Sequence, residues 1–360
     1  MTSDVMIIAE AGVNHNGSLE TAKRLIEVAA EAGADAVKFQ TFKADLLSTT
    51  TAPLADYQEI NVAKKVTQYQ MLKSLELSNE YHFALKDTAA SLGIQFLSTP
   101  FDEESLKFLV TEVGMGVVKV PSGEITNHPY LIKVAQLAER VILSTGASTF
   151  LEVRQAVQSL IEGFSRSLGD SREPDWNCHI SDEDRLTLHS RLVIMHCVTS
   201  YPAPVEQSNL MVIPALSQEF GCRIGMSDHS LGHHISVAAL ALGASVFEKH
   251  FTLDRSLPGP DHAASLTPTE LREYVRVLRE TELSLGDGIK RPQPSELGNR
   301  DVVRRSIVAL SEIRAGETFS TVNVGVLRPA GGLPPARWWS LIGTVAKRDY
   351  VTGQSIEAEV

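Results

Sequence analysis

Short apolar runs alternate along residues 1–285 with longer segments whose apolar positions recur every three or four residues. The short runs have the length and continuous apolar character of buried parallel strands, and the longer segments have the period of amphipathic helices. The predicted strands are Val5–Glu10, Ala36–Gln40, Ile94–Ser98, Val117–Val120, Val141–Ser144, Leu192–His196, Arg223–Ser227 and Ser245–His250. The predicted helices are Leu19–Ala32, Asn79–Leu92, Ser105–Glu112, Pro129–Ala138, Phe150–Glu162, Leu210–Phe220, Ile235–Leu242 and Pro268–Leu285. Eight strand–helix units in series predict a parallel sheet, and eight strands are the number that closes into a (β/α)8 TIM barrel.

The pattern changes after residue 285. Residues 286–300 are rich in Gly, Pro and charge, which is typical of a linker. Residues 301–360 contain β-prone runs at Val302–Leu310 and Val324–Leu327, separated by turn residues. We therefore predict an α/β barrel domain at 1–285, a linker at 286–300 and a small β-rich domain at 301–360.

Two connections between the predicted elements are long. Thr41–Leu77 follows the second strand and contains small and polar residues, so it is predicted to be a loop that covers the substrate. Gly163–Arg191 lies between a helix and the next strand, which places it at the opposite end of a barrel. It is predicted to be a surface insertion without a catalytic role.

The charge and cysteine content exclude several classes of protein. A net charge of -11 and a pI near 5.5 argue against a nucleic-acid-binding surface. Three cysteines without a paired spacing are typical of reduced thiols in a cytoplasmic protein. The N-terminal residues lack the basic region and the long apolar run of a signal peptide, and no stretch has the length of a membrane span. The expected location is the cytoplasm.

Polar side chains follow the carboxyl ends of the predicted strands, and a barrel brings these ends to one face. The cationic and hydroxyl residues among them are Lys38, Thr99, Lys119, Ser122 and Ser144. Together they could hold a phosphate and a carboxylate through charges and short hydrogen bonds. A single Ser or Thr at such a place is more often a cap or turn residue, so the prediction depends on the convergence of the whole set.

Histidines end two neighbouring predicted strands, as His229 and His250. Neutral imidazoles on adjacent strands can share a divalent cation and leave coordination positions open for substrate oxygens. Asp228 and Glu248 stand beside them as possible supporting partners, although one histidine alone is more often a packed or surface residue. The carboxylates left for acid–base chemistry or hydroxyl recognition are Glu10, Glu124 and Asp261.

Several motifs, in this order, resemble those of the bacterial sialic acid synthase family, which includes synthases of N-acetylneuraminic, legionaminic and pseudaminic acids. The motifs are IIAEAGVNHNGS, ADAVKFQTFK, FLSTPFD, KVPSGEITNHP, ILSTG, GMSDHSLG and EKHFTLDRSLPGPDHAASL. The segment 301–360, with SIVAL, IRAGE and GVLRP, is similar to the antifreeze-like (SAF) domain at the end of those enzymes.

The resemblance implies the condensation of phosphoenolpyruvate with an N-acylated mannosamine-type sugar to a nonulosonic acid, with C–O cleavage and release of phosphate. N-acetylneuraminate or legionaminate is the expected product. The implied phosphoenolpyruvate ligands are Lys38, Thr99, Lys119, Ser122, Ser144 and Ser227, and the implied ligands of Mn²⁺ or Mg²⁺ are His229 and His250. The implied sugar contacts are Gln40, Glu124, Tyr201 and Asp261, with Glu10 near the attacked carbon.

Two further implications concern single residues. Thr199 stands where many relatives have Asn, so a substrate contact there keeps a hydroxyl and loses the amide. Arg328, in the motif VGVLRPAGG, is implied to reach the sugar in the partner subunit's barrel across a domain-swapped homodimer.

Two other functions are compatible with parts of the pattern. Lys38 or Lys119 could be the nucleophile of a Schiff-base aldolase. A non-catalytic carbohydrate-binding or ice-binding protein could retain the barrel, although it would need neither the paired histidines nor both lysines. The sequence leaves open whether the sugar carries a 6-hydroxyl, a 6-phosphate, or a 6-methyl with a 4-acetamido group.

Overall fold

The computed structural model describes residues 4–55, 58–59, 66–167, 176 and 180–357. The chain divides into two compact units, Met1–Gly286 and Asp287–Val360. Each unit has its own buried apolar core.

Eight parallel strands form the sheet of the first unit. They are β1 (Met6–Gly12), β2 (Ala36–Thr41), β3 (Gln95–Pro100), β4 (Val117–Val120), β5 (Arg140–Ser144), β6 (Leu192–Cys197), β7 (Arg223–Ser227) and β8 (Val246–His250). Their order in the sheet is β3-β2-β1-β8-β7-β6-β5-β4, and each neighbouring pair is parallel. The end strands β3 and β4 lie in contact, so the sheet curls into a barrel. The TIM barrel predicted from the apolar pattern is confirmed.

Helices follow the strands. They are α1 (Leu19–Glu31), α2 (Ala44–Leu47), α3 (Gln68–Leu75), α4 (Asn79–Ser91), α5 (Glu103–Lys107), α6 (His128–Leu137), α7 (Phe150–Ser165), α8 (Asp182–Arg191), α9 (Val212–Phe220), α10 (His234–Ala241) and α11 (Pro268–Leu285). Most of the described helices pack on the outside of the sheet, whereas α2 and α3 lie in the connection after β2. Local sequence determines where several helices begin. At the start of α11, Thr267 and Glu270 form a capping box that satisfies two otherwise unpaired backbone donors. Among the described residues, no helix is long and apolar enough to cross a membrane.

Strand packing depends on large apolar side chains and on one close backbone approach. Ile7, Ile8, Phe39 and Phe247 are among the largest fully buried side chains of the core. Gly225 on β7 has no room for a side chain, because a Cβ atom there would lie 2.5 Å from the carbonyl oxygen of Val246. Glycine therefore permits the close pairing of β7 with β8. His250 is the last residue of β8, and His229 lies two residues after β7.

The long connections differ from the prediction in containing helices. Thr41–Leu77 holds α2 and α3, and Gly163–Arg191 ends in α8, whose Leu188 is buried. Ser181 starts α8 with a capping box to Asp184, a local signal that the sequence prediction missed. Residues 168–175 and 177–179 of that insertion lie outside the described residues.

The second unit is built on an antiparallel pair, β9 (Ser306–Ala309) and β10 (Val324–Leu327). Its buried apolar residues are Ile307, Ala309, Ile313, Phe319, Val324, Ala346, Tyr350 and Ile356. Helix α12 (Pro294–Val303) occupies part of the predicted linker 286–300, which is a correction. Pro294 at the first helical position and the capping box of Gln293 with Glu296 explain why this polar stretch becomes helical.

Candidate active site

One cavity of about 370 Å³ opens at the carboxyl ends of the barrel strands. Every predicted site residue of the first unit lines it: Glu10, Lys38, Gln40, Thr99, Lys119, Ser122, Glu124, Ser144, Thr199, Tyr201, Ser227, His229, His250 and Asp261. Arg328 belongs to the second unit, directly after β10. Because successive strand residues face opposite sides of a sheet, residues in register on neighbouring strands meet at the same level of the cavity. Glu10 is in register with Lys38 and with His250 in this way.

The floor of the cavity is a buried cluster of two lysines and two glutamates. Lys38 Nζ lies 2.6 Å from Glu10 Oε2, 3.5 Å from Glu248 Oε2 and 2.8 Å from Thr99 Oγ1. Lys119 Nζ lies 3.3 Å from Glu248 Oε1, which also accepts a hydrogen bond of 3.0 Å from Ser227 Oγ. Each lysine is thus held in place by a carboxylate and is aimed at the cavity.

Burial changes the acid–base properties of this cluster. Removal from water raises the pKa of Glu10 to about 7, although Lys38 opposes that shift. Burial also disfavours the charge on Glu248, but Lys119 and Lys38 together lower its pKa below the ordinary value. When Glu10 carries a proton, two lysines face one carboxylate, so the floor has a net positive charge that suits an anion.

The two histidines lie against each other at one side of the cavity, with ring centroids 5.6 Å apart. His229 Nδ1 donates to the carbonyl oxygen of Val198 at 2.7 Å, an arrangement that leaves Nε2 as the lone-pair nitrogen. Burial, followed by the neighbouring His229, lowers the pKa of His250 well below its usual value. His250 Nδ1 is buried and has no hydrogen-bond partner among the residues that the structure describes. Burial opposes a charge on His229, but the neighbouring Cys197 and the Val198 carbonyl raise the pKa of His229 above its usual value. Because the neutral imidazole is the form that binds metals, a metal at this pair would displace the Nε2 proton of a charged His229.

The donor chemistry of this pair therefore fits a divalent ion held by two protein ligands. Within the described ranges, no group of three or more His, Cys, Asp or Glu side chains is arranged to hold a metal. A metal here would take its remaining ligands from substrate oxygens and water, which is the arrangement of an open, catalytic site.

Small residues and hydroxyls line the side of the cavity beneath β4 and β5. Ser122 Oγ accepts a hydrogen bond of 2.9 Å from the Gly146 N–H, and a side chain at Gly146 would overlap Thr199 Oγ1. Ser144 Oγ is buried and has no hydrogen-bond partner within the protein part that the structure describes. A buried hydroxyl without a partner is costly, so it indicates a bond to a ligand.

The polar residues assigned to the sugar lie around the rim. Gln40 Nε2 donates to Glu10 Oε1 at 3.4 Å, and Glu124 accepts a bond of 2.7 Å from Asn127. The Tyr201 ring packs on His229 at 4.1 Å. Asp261 is buried, and this raises its pKa to about 6, with His229 opposing the shift.

An apolar wall, which the sequence did not predict, covers one side of the cavity. The buried residues Val13, Phe42, Met71 and Leu75 form a cluster with Leu47, Leu72 and Phe101, and all of these line the cavity. Most of the wall comes from α2 and α3. Glu76 and Lys73 hold these helices together, through a bond of 2.6 Å from the Ala44 N–H to Glu76 and an ion pair of 3.0 Å between Lys73 and Asp45.

Glu248 and Cys197 also line the cavity. The sequence prediction treated Glu248 only as a supporting partner of the histidines. Strand alternation could have assigned it to the cavity, because Glu248 is two residues before His250 on β8. Cys197 and Cys222 are free, buried thiols, and Cys178 lies outside the described residues.

Comparison with known proteins agrees with this architecture. The NeuB family profile matches residues 25–290, and the SAF domain profile matches residues 304–359. The chain is 43% identical to the N,N'-diacetyllegionaminic acid synthase of Legionella pneumophila, over 97% of this chain and 92% of that protein. It is 44% identical to the synthase of the same name from Campylobacter jejuni, over 96% of each chain.

A solved structure gives the same result for the fold. The N-acetylneuraminic acid synthetase of Leptospira borgpetersenii superposes with a TM-score of 0.66 at 32% sequence identity, covering 82% of this chain and 90% of that one. The two profiles cover the barrel and the C-terminal unit in the order predicted from the motifs. The chain therefore belongs to the NeuB family, the sialic acid synthase family, and carries a C-terminal SAF domain.

Proposed function

We propose that this protein condenses phosphoenolpyruvate with an N-acylated mannosamine-type sugar, forming a nonulosonic acid and releasing phosphate. The observation that carries the proposal is the single cavity in which Lys38 and Lys119 lie beside His229 and His250. Paired buried lysines suit a small ligand with two anionic groups. Two adjacent imidazoles suit a divalent ion that contacts the second substrate.

The enolpyruvate is assigned to the floor of the cavity. Lys38 and Lys119 are the two cations of that floor, and their positions are preset by Glu10 and Glu248. The phosphate and carboxylate groups bind these lysines, with Ser144 supplying a hydroxyl that has no partner among the described protein groups. Thr99, Ser122 and Ser227 also line the cavity and complete the hydroxyl set.

The reaction forms one carbon–carbon bond and breaks one carbon–oxygen bond. The methylene carbon of phosphoenolpyruvate attacks the aldehyde carbon of the open-chain sugar, whose oxygen then takes up a proton. Water adds to the cationic C2 and loses a proton, which leaves a C2 hydroxyl. The C–O bond from C2 to phosphate then breaks, the C2 hydroxyl becomes the ketone, and its proton leaves with the phosphate. We assign Glu10 to hold the proton that the water loses, because its pKa of about 7 allows both protonation states near neutrality.

His229 and His250 are the proposed ligands of a Mn²⁺ or Mg²⁺ ion. Such an ion, when bound, supplies Lewis-acid polarisation of a carbonyl oxygen. The hydrogen bond from His229 to Val198 and the packing of Tyr201 on the ring orient the proposed ligands in the protein itself.

The sugar is assigned to the space between the polar rim and the apolar wall. Gln40, Glu124, Tyr201, Asp261 and Thr199 offer hydrogen bonds to hydroxyl and acylamino groups. The wall around Met71 and Leu75 suits methyl groups, and the described residues that form it include no cation for a 6-phosphate. A 6-deoxy sugar with two acetamido groups fits a site with a polar rim and an apolar wall. This agrees with the similarity of the chain to diacetyllegionaminic acid synthases.

A phosphate-release assay with phosphoenolpyruvate, Mn²⁺ and a panel of mannosamine derivatives tests the reaction and the sugar together. We expect kcat/KM to be highest for the 2,4-diacetamido-6-deoxy sugar, by at least about tenfold over N-acetylmannosamine, because one methyl group in an apolar pocket contributes about 1–3 kcal/mol. The 6-phosphate should be the poorest substrate. Absence of phosphate release with every sugar would instead favour a non-catalytic carbohydrate-binding protein.

The Schiff-base alternative predicts a covalent lysine adduct. Both candidate amines are paired with carboxylates, Lys38 with Glu10 and Lys119 with Glu248. This pairing favours the charged amines, although burial lowers the pKa of Lys119. Borohydride reduction in the presence of pyruvate, followed by mass spectrometry, should therefore yield unmodified peptides. An adduct on Lys38 or Lys119 would establish the aldolase mechanism.

The assembly is proposed from the family resemblance. We expect a domain-swapped homodimer in which Arg328 reaches the sugar bound in the partner's barrel, where its guanidinium fork suits an acyl oxygen or hydroxyls. The test is a mixture of Arg328→Ala and His250→Ala subunits, each inactive alone. Trans completion leaves one unmodified site per heterodimer, so random subunit exchange should restore about a quarter of the parent activity.

Completion within one chain predicts the opposite result for this mixture. Every site would then carry one lesion, and no activity would return after exchange. Exchange itself is measured by mass spectrometry of subunits that carry tags of different mass. An inactive mixture with complete exchange would exclude the swap.

The cytoplasm is the proposed location. Cys197 and Cys222 are buried as free thiols, which is the usual state of cysteine in a reducing compartment. Fractionation of the native host, with detection of the untagged protein, tests this expectation.

A further inference from the structure

A buried ion pair lies on the outer face of the barrel wall, behind the two histidines. Lys249 Nζ is 3.0 Å from Asp228 Oδ2, and the side chains are 2% and 0% exposed. Neither residue lines the cavity. The proposed reaction therefore assigns no role to the pair.

Hydrogen bonds hold the Asp228 carboxylate on all sides. Oδ1 accepts from the N–H and the hydroxyl of Ser230, at 2.9 and 2.6 Å. Oδ2 accepts from Ser236 Oγ at 2.7 Å, and Ser236 Oγ is 2.9 Å from Tyr274 Oη. Lys249 also donates to the Ser230 carbonyl oxygen and lies 5.9 Å from the centre of the Tyr274 ring. The network thus joins β7, β8, α10 and α11.

Each member of the ion pair directly precedes one histidine in the chain. Asp228 precedes His229, and Lys249 precedes His250. Because strand side chains alternate between faces, Lys249 faces the helices while His250 faces the cavity. The Asp228 N–H donates to the Glu248 carbonyl oxygen at 2.9 Å, so the ion pair lies where the pairing of β7 with β8 ends. Beyond that point β8 stays paired with β1 as far as His250, whereas Asp228 and His229 lie past the end of β7, so strand pairing no longer fixes the position of His229.

Stability alone is a poor reason for a buried ion pair at this place. Apolar residues of similar volume often stabilise a protein as well as such a pair, because burial removes both charges from water. A directional network, in contrast, restricts the rotation and spacing of the segments that it joins. Spacing is critical here, because the proposed metal has only two protein ligands.

We propose that Asp228 and Lys249 are positioning residues that set the separation and orientation of His229 and His250 for the divalent ion. This inference rests on the proposed metal role of the histidines. The ion pair lies on the side of the barrel wall away from the cavity. It acts through the backbone, because Asp228 is bonded to His229 and Lys249 to His250.

The test uses the full-length chain in three variants: Lys249→Met, Asp228→Asn and the double variant. The double variant leaves no uncompensated buried charge, so it keeps the test valid if a single variant fails to fold. Mn²⁺ affinity of the metal-free protein is measured by electron paramagnetic resonance of free Mn²⁺, without substrates. We expect affinity to fall by about 10–100-fold, which is the usual effect of losing a partner that orients a ligand.

Two comparisons separate positioning from general destabilisation. Arg279 of α11 forms a different ion pair, 2.6 Å from Asp35, the residue before β2. The control variant Arg279→Met removes this pair and should change Mn²⁺ affinity less than twofold. Phosphoenolpyruvate affinity, measured by calorimetry without metal, should also stay within twofold in the Asp228 and Lys249 variants. Circular dichroism melts define a temperature at which every variant is folded.

Mn²⁺ affinity within twofold of the parent, in folded variants, would overturn the positioning role. An equal loss of phosphoenolpyruvate affinity would also overturn it, since that pattern indicates general damage to the barrel. A parent protein that binds no Mn²⁺, or binds it equally well after His250→Ala, would overturn the metal proposal and this inference with it.

Discussion

Replacing His250 with alanine should slow phosphate release by more than about a hundredfold while the barrel stays folded. Loss of a residue that only orients a metal ligand already costs about 10–100-fold, and His250 is one of only two proposed protein ligands. Its ring lies against His229 and Tyr201, and His229 is itself the other proposed ligand, so it cannot also take the place of His250. Steady-state assays with saturating Mn²⁺ measure the effect.

His189→Ala is the matched control, because His189 is exposed on α8 and does not line the cavity. Its activity should equal that of the parent. Removal of divalent metal with EDTA should stop the parent enzyme, and added Mn²⁺ should restore it. A rate that EDTA leaves unchanged would show the metal assignment to be wrong.

Replacing Lys119 with alanine should weaken the binding of phosphoenolpyruvate and slow turnover. A hydrogen bond between charged groups contributes about 1.5–3 kcal/mol, which corresponds to about 10–150-fold in affinity. The fold should persist, because Glu248 retains Lys38 at 3.5 Å and the hydrogen bond from Ser227. KM for phosphoenolpyruvate and kcat are measured at saturating sugar.

Lys133→Ala provides the comparison for this variant. Lys133 is also a lysine in an ion pair, with Glu103, but both side chains are largely exposed and lie outside the cavity. Exposed pairs contribute little, so its kinetic constants should match those of the parent. Unchanged KM and kcat in Lys119→Ala would remove this lysine from the site.

Much of the barrel could be predicted from local pattern. Strands such as β7 and β8 are short apolar runs, and an amphipathic helix such as α11 carries its own capping box at Thr267. These properties depend on residues a few positions apart, so they can be recognised without knowing the fold. Part of the linker prediction was wrong for the same reason, because Gly and Pro dominated the pattern and the capping signal at Gln293 was overlooked.

The candidate site was predictable where it follows from strand ends. Once eight parallel strands close into a barrel, residues such as Lys38, Lys119 and His229 must converge on one face, whatever the loops do. Residue type then indicates the chemistry: cations for an anion and imidazoles for a metal. The motif resemblance added the substrates, which composition and periodicity cannot specify.

The sequence by itself determined the alternation of strands and helices and the chemical groups at the strand ends, because both are encoded in neighbouring residues. Only the tertiary structure decided which groups touch. The Lys38–Glu10 and Lys119–Glu248 pairs, the shift of the Glu10 pKa to about 7 and the apolar wall around Met71 join segments far apart in the chain. Their distances and burial depend on strand register and helix packing, and these are set by the whole barrel closing around one core.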